Sequence, residues 1–461
     1  MSRLLLVVLL LGLGAGRVLA APHGATPSVE RLADRLGRGG WTRAKVNRLI
    51  AFVEQDGKVS RGERAAVAGL LARRGFSTSA PALRVGPDNF GGQSRAALAR
   101  YAKLVDQLGE QRAPGPSSLL FGAGAELDPA RYRRNVEILA GERATKLIDA
   151  SGRARRLRFQ NRYIGRSQNQ LDQVRGWLVA QYRALGLQVE EQPVPWRGTT
   201  YHNVVVTIPG ASPDAVVICD HYDAADKDPI EKRNLGQLER DYHLRKAEIM
   251  RRLNTLPVGA PVPGADDNAS ASAALLEMGH LLQAKLAQGA RLGKTIKLVH
   301  LVGEELPASC LGARAFVKQA RARGETIDAA VVMDMIGVDR VGRRKVQLSV
   351  GRPEGSLEIA RVAKTAIADQ RLALRPVLRP FGSRRSFLHQ TDGIVFSRKN
   401  IPVVLFNEHV NNDRDHFRVG YHDEFDISRL MSFDFATAVV SAALETAYRL
   451  AEPVGGPGAV R

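Results

Sequence analysis

Five short polar islands, each set beside an apolar run, carry the residues of this sequence that could do chemistry. They are DHYDAAD at 220–226, GADDNAS at 264–270, GEE at 303–305, MDMIG at 333–337 and YHDEFD at 421–426. Together they offer His221, Asp267, Glu305, Asp334 and His422, a nitrogen and oxygen donor set of the kind that holds zinc, with Glu304 beside it as a base. In HYD, side chains 221 and 223 point the same way along a strand end, so Asp223 can accept the imidazole N–H of His221 and fix its tautomer. In GEE, adjacent side chains diverge, which lets one glutamate bind metal while its neighbour faces the substrate water. Taken singly, each island has a plainer reading as a turn, a helix cap or a polar loop. Their joint occurrence, in order, at the ends of alternating strands favours a site.

Those islands need a scaffold, and hydrophobic periodicity supplies one from about residue 130. NQLDQVRGWLVAQYRALG has the period of an amphipathic helix and stops at Gly186. Three extended runs follow, LQVEEQPVPW, HNVVVTIPG and AVVICDHYD, the last apolar on both faces as a central strand is. Helix and strand then alternate: a helix from Ser270 to about Gln288, strand TIKLVHLVG, a helix from Ala308 to about Arg323, strand AAVVMDMIG, a helix around Leu357 to Asp369, strand IPVVLFN, and a last helix from Ser428 to about Leu450. This order predicts an α/β fold, a mainly parallel mixed sheet sandwiched by helices. Ligands of such sheets gather beyond the carboxyl ends of the strands. His221, Glu305 and Asp334 follow apolar strands within a residue or two, His422 lies in a loop after IPVVLFN, and Asp267 sits just before a helix start, where exposed N–H groups favour anions. His280 and His300 read as packed core histidines, and His202, His389, His409 and His416 lack a partner pattern.

The ordered set HYD, GADDNAS before a helix, GEE after a strand, DMIG, and YH with an aspartate four residues on resembles the co-catalytic di-zinc aminopeptidases of peptidase clan MH, which include bacterial leucyl aminopeptidase and aminopeptidase Y. NRYIGRSQNQ at 161–170 also resembles the opening of that domain, and the likeness covers roughly residues 140 to 450. The resemblance implies a zinc aminopeptidase-like fold, peptide substrates and two zinc ions per chain. His221 and Asp334 would bind one ion, Glu305 and His422 the other, and Asp267 would bridge both. Glu304 would be general base and then acid, and Asp223 would orient His221. The family commonly has glycine soon after GADDNAS and a Ser-Asp-His triplet before the last strand; here stand Ala271 and Thr391-Asp392-Gly393, departures that fall on the substrate pocket. Alternatives on the same fold are a glutaminyl cyclase-like acyltransferase working with one zinc, and a noncatalytic binding domain. Intact donors together with Glu304 favour the peptidase.

The remaining sequence frames this domain. Residues 1–20 read as a secretory signal, with Arg3, an apolar core and VLA before Ala21, which implies an exported, periplasmic or secreted protein; a retained anchor is the alternative. No later stretch reaches roughly 18 unbroken apolar residues, so no stable membrane span is expected. Residues 21–125 read as an all-helical accessory segment, 126–452 as the peptidase domain and 453–461 as a flexible tail. DGKVS at Asp56 fails as a calcium loop because Arg61 and Val67 stand where its glycine and glutamate belong. A charged insertion at 229–260 falls between two islands and is expected over the mouth of the site, as a lid, a substrate selector or a solvated helix. Export permits a disulfide between Cys219 and Cys310 without requiring one, and two buried free thiols are the plainer reading. Lys plus Arg number 67 against 47 Asp plus Glu, yet the arginines are scattered and aromatics are only 6%, so a charged surface is expected rather than a specific nucleic-acid site.

Overall fold

The run AVVIC has no polar alternation, so its strand must be covered on both faces. In the computed structural model, which describes residues 127–148, 153–166, 169–227, 259–339, 342–383, 385–408 and 420–454, this strand lies inside an eight-stranded sheet. The described chain begins with helix α1 (Pro129–Leu139), whose first turn is capped by the Asp128 carboxylate accepting from the Ala130 and Arg131 N–H groups. A hairpin of β1 (Thr145–Ile148) and β2 (Ala154–Leu157) follows, then helix α2 (Leu171–Ala184), β3 (Gln188–Trp196), β4 (Thr199–Ile208) and β5 (Ser212–His221). Beyond the insertion come α3 (Ser270–Ala287), β6 (Arg291–Leu292), β7 (Lys294–Leu301), α4 (Leu311–Ala322), β8 (Ile327–Met333), β9 (Lys345–Val350) and α5 (Gly355–Asp369). The last described elements are β10 (Arg375–Arg379), α6 (Gly393–Arg398), β11 (Val403–Glu408), α7 (Phe433–Leu450) and β12 (Pro453–Val454).

The sheet order is β10-β9-β11-β8-β5-β7-β4-β3. Its middle, β11-β8-β5-β7, is parallel, while β4 and β3 join antiparallel at one side and the parallel pair β9 and β10 joins β11 antiparallel at the other. The α/β class expected from alternation is therefore the observed one. Because side chains of a strand alternate between faces, Val217 and Cys219 of β5 pack with Val299 and Leu301 of β7 against Phe316 and Val317 of α4 and Phe396 of α6. Helices α3 and α7 pack against β5 and β7, α3 also against α1 and α2, and α7 against α5. Cys219 and Cys310 are both buried free thiols.

Several boundaries differ from the sequence reading. The helix expected from Ala308 starts at Leu311, because Ser309 and Cys310 adopt left-handed φ values of 54° and 57° and close a turn under GEE. The last helix starts at Phe433, after a separate short turn at Ser428–Leu430. Pro453 and Val454 pair with Leu292 and Arg291. The β1–β2 hairpin, β9, β10 and α6 are additions to the sequence reading. The signal, the helical accessory segment, DGKVS, His409, His416 and nearly all of the 229–260 insertion lie outside the described residues.

Helix α4 approaches the end of β7 closely at Gly312. Its N–H donates to the Val302 carbonyl, and the Asn203 amide bridges the Gly312 carbonyl and the Val302 N–H. A Cβ at 312 would lie 2.5 Å from the Val302 nitrogen and 2.6 Å from its oxygen. Gly312→Ala should therefore cost about 1–3 kcal/mol, read as a lowered urea midpoint; an unchanged midpoint would contradict this close approach.

Candidate metal centre

Strand β5 delivers the first island. Asp220, buried, lies 2.8 Å through Oδ1 from His300 Nδ1 and accepts from the Ser272 hydroxyl on Oδ2. His300 Nε2 is 2.8 Å from the Tyr182 hydroxyl. His300, expected as a plain core histidine, is thus part of a buried polar chain directly behind His221. Two residues beyond the strand, the Asp223 carboxylate accepts from the N–H groups of Gly303, Glu304 and Glu305 at 2.9, 3.2 and 3.3 Å. Its Oδ1 also lies 3.6 Å from His221 Nδ1. The orienting residue expected for His221 is at the same time the anchor of the GEE turn, whose Gly303 has φ 73° and leaves a Cβ only 2.9 Å from Ile164 Cδ1.

GADDNAS divides its labour by residue. Asp266 Oδ1 accepts from the Gly337 N–H at 2.6 Å. The Asn268 side chain donates to the Met333 carbonyl and accepts from the Met335 N–H, gripping the backbone on both sides of Asp334. Asp267, between them, turns toward the histidines. Asp426, four residues after His422, accepts from the backbone N–H groups of Asp266 and Asp267 at 2.7 and 3.0 Å, tying the last island to the second. Tyr421 stacks on the His422 ring with centroids 3.8 Å apart, and Lys227 makes a buried ion pair of 2.7 Å with Glu424 in the same loop.

These supports bring all five expected donors together. The ligand atoms of His221, Asp267 and Asp334 lie within 4.8 Å of one another, as do those of Asp267, Glu305 and His422. His221 Nε2 is 3.3 Å from Asp267 Oδ1 and 3.7 Å from Asp334 Oδ1. His422 Nε2 is 3.5 Å from Asp267 Oδ2 and 3.3 Å from Glu305 Oε1. Two donors on one tetrahedral zinc, each bonded at about 2.0–2.1 Å, sit about 3.3 Å apart. The spacings fit that edge better than they fit hydrogen bonds. Glu304 is buried with Oε2 4.0 Å from His221 Nε2 and also groups within 4.8 Å with His221 and Glu305.

The electrostatics point the same way. Burial, then the neighbouring Glu305 and Asp334 charges, pushes the Glu304 carboxyl well above its usual range, and burial foremost raises Glu305 and Asp334. Burial also opposes ionisation of Asp267, but His221 and His422 on its two oxygens outweigh it and hold it below the usual carboxylate range. Burial opposes the charged His221 ring, and the Asp223, Asp267 and Asp334 carboxylates reverse that, leaving it well above ordinary histidine. Carboxylates crowded in a dry site are costly unless a cation offsets them. Hard oxygen donors with two imidazoles suit a divalent ion such as zinc, and the residues present fit one.

Residues 203–447, a little over half of the chain, match the pattern of peptidase family M28. The chain belongs to this family. Among curated relatives of this M28 peptidase, a probable leucine aminopeptidase of Trichophyton verrucosum is 27% identical over 168 residues, covering 36% of either protein. Leucine aminopeptidase 1 of Trichophyton equinum is 30% identical over 138 residues, covering 30% of this chain and 29% of that one. The M28 chain thus spans about a third of the length of the curated relatives it matches. LapA aminopeptidase of Legionella pneumophila shares the fold with a TM-score of 0.51 at 13% identity, covering 94% of this chain and 95% of LapA. No described helix of the M28 chain is long and apolar enough to cross a membrane.

The residues that sequence reasoning expected as donors lie together with Asp223, whereas Arg162, His300 and the Lys227–Glu424 pair were not singled out for this site. Only the placement of Arg162 in NRYIG was a signal. Removing the Asp223 carboxylate leaves three buried N–H groups without their acceptor. Asp223→Ala should destabilise the metal-free protein by at least about 1–3 kcal/mol, the cost of one unsatisfied buried group, while Asp223→Asn should cost less. Denaturant titration in chelator checks this, and equal midpoints for the two variants would contradict the anchoring role.

Proposed function

We propose that this M28 peptidase is an exported zinc aminopeptidase that binds two ions and removes N-terminal residues from peptides. The observation that carries this reading is Asp267: its Oδ1 faces His221 and its Oδ2 faces His422, so one carboxylate spans two donor triads. His221 and Asp334 would hold one ion, Glu305 and His422 the other, and Asp267 would contribute to both. The leucine aminopeptidase names of the relatives support the choice of an N-terminal substrate, and the charged start, apolar core and VLA of residues 1–20 support export. The peptidase domain is assigned to 126–452, with the helical segment before it and the 229–260 insertion at the mouth of the site.

When bound, the ions supply Lewis-acid polarisation of the scissile carbonyl and make water more acidic. The chain's own residues do the rest. Glu304, buried and held by its backbone against Asp223, takes the proton of the attacking water and passes it to the leaving amine nitrogen. A carboxyl raised by burial is a stronger base than a solvated one and holds its proton long enough to deliver it. Asp223 fixes both the His221 ring and the turn carrying Glu304 and Glu305, so donor and base keep one geometry.

Glu304→Gln should lower kcat by about 10²–10⁴-fold or more while zinc content, measured by mass spectrometry, stays at that of wild type; parallel loss of zinc and turnover would contradict the base. Asp267→Asn should reduce zinc occupancy at both positions, and an unchanged metal count would end the bridging assignment. Peptides with a free N-terminus should be cleaved and their acetylated forms not, with activity lost in chelator. Cleavage of acetylated peptides, or cyclisation of N-terminal glutamine without hydrolysis, would overturn the aminopeptidase reading.

A further inference from the structure

Among the described residues, Arg162 heads the largest fully buried side chains, at 1% exposure, while most of the other described arginines are exposed. A buried guanidinium usually meets a carboxylate fork, but this one spends its donors on backbone carbonyls. Nη1 donates to the Tyr222 oxygen at 2.9 Å, and Nη2 to the Pro263 and Gly264 oxygens at 2.9 and 2.8 Å. Its own carbonyl accepts from the Ala224 N–H at 3.1 Å. Tyr222 is the residue between His221 and Asp223, and Gly264 opens the turn that presents Asp267. Gly264 has φ 61°, and a Cβ there would lie 2.7 Å from Arg162 Nη2 and 2.4 Å from the Asp267 carbonyl. Around this cation stand the charges of Asp426, Asp223, Asp267 and Asp220.

We propose that Arg162 is a positioning residue of the metal centre: its planar fork fastens the turn bearing His221 and Asp223 to the turn bearing Asp267, fixing the spacing of those donors. The inference rests on the metal-centre reading above. Three carbonyls from two loops are held by two nitrogens of one rigid group, while the backbone bonds that also join these segments, such as Val262 N–H to the Ala225 carbonyl, lie farther from the donors along the chain. A lysine would bring the same charge as a single point donor and lose the fork. The cation also sits where crowded carboxylates need offsetting, so charge and geometry serve the same site.

The test uses the full chain as wild type, Arg162→Lys and Arg162→Gln. Zinc affinity is measured by competition with a chromogenic chelator, donor geometry by the absorption spectrum of the cobalt-substituted protein, and folding by circular dichroism and thermal melting without metal. Both variants should fold, bind zinc about 10–100-fold more weakly, as outer partners of metal ligands do, and show an altered cobalt spectrum. Zinc affinity and cobalt spectrum unchanged in Arg162→Lys would overturn the positioning role and leave the metal centre standing. Failure of both variants to fold would also overturn it, making Arg162 a requirement of the fold rather than of the site. A wild-type protein that binds no zinc would take down the metal-centre reading itself.

Discussion

Carboxylates buried side by side are the constraint around which this molecule is arranged. Asp220, Asp223, Asp266, Asp267, Glu304, Glu305, Asp334, Asp423, Glu424 and Asp426 are all buried near one end of the sheet. In a dry environment each needs hydrogen bonds or a cation. Most are answered by the chain: Asp223 by three backbone N–H groups, Asp426 by two, Asp266 by Gly337, Asp220 by His300 and Ser272, Glu424 by Lys227. Asp423 closes its own loop through Gly420 and Phe425. Asp267, Glu305 and Asp334 instead face imidazole nitrogens at separations longer than good hydrogen bonds. That sorting, more than proximity, separates the carboxylates that build the loops from those left facing the histidines.

The fold makes the sorting possible by pairing unlike neighbours in sequence. Asp220 and His221 are consecutive on β5, yet the first turns to Ser272 and His300 while the second meets the carboxylates. Asp266 and Asp267 divide in the same way between the Gly337 N–H and the two histidines. His422 and Asp423 repeat the arrangement, donor beside loop-closer. One residue of each pair fixes the backbone so that the other presents its head at a defined distance, which is what metal sites need from their supports. Strand ends suit this because parallel strands finish together, and their loops bring rows of free N–H groups to the same edge.

How far the sequence revealed this follows from the signals available. Uninterrupted apolar runs such as AVVIC and VVLF marked the central strands, and the helices α3 and α7 have long apolar faces. The edge strand β10, its neighbour β9 and the short α6 lack such runs and went unread. The helix after GEE was placed early because left-handed Ser309 and Cys310 are set by closure of the turn, which composition does not encode. Donor residues were legible since chemistry restricts them to a few types beside strands. Arg162 was marked only by its place in NRYIG, since its neighbours do not tell a surface arginine from one that bonds carbonyls sixty or more residues away.

Burial also sets how readily each carboxyl of the site ionises. Asp392, in the Thr391-Asp392-Gly393 segment, is buried and its carboxyl is pushed up to about 8, by burial first and then by the Asp223 and Asp334 charges against the opposing His221. It lies near Cys310 and Glu304. Glu304 is raised by burial first and then by the Glu305, Asp334 and Asp392 charges against the opposing His221. A carboxyl that resists ionisation is a poor permanent ligand and a good transient proton carrier. Asp267, held ionised between two imidazoles, is the reverse. Aspartate and glutamate carboxyls buried in one site thus ionise with very different ease, and the difference between them is how many positive or N–H groups the fold aims at each.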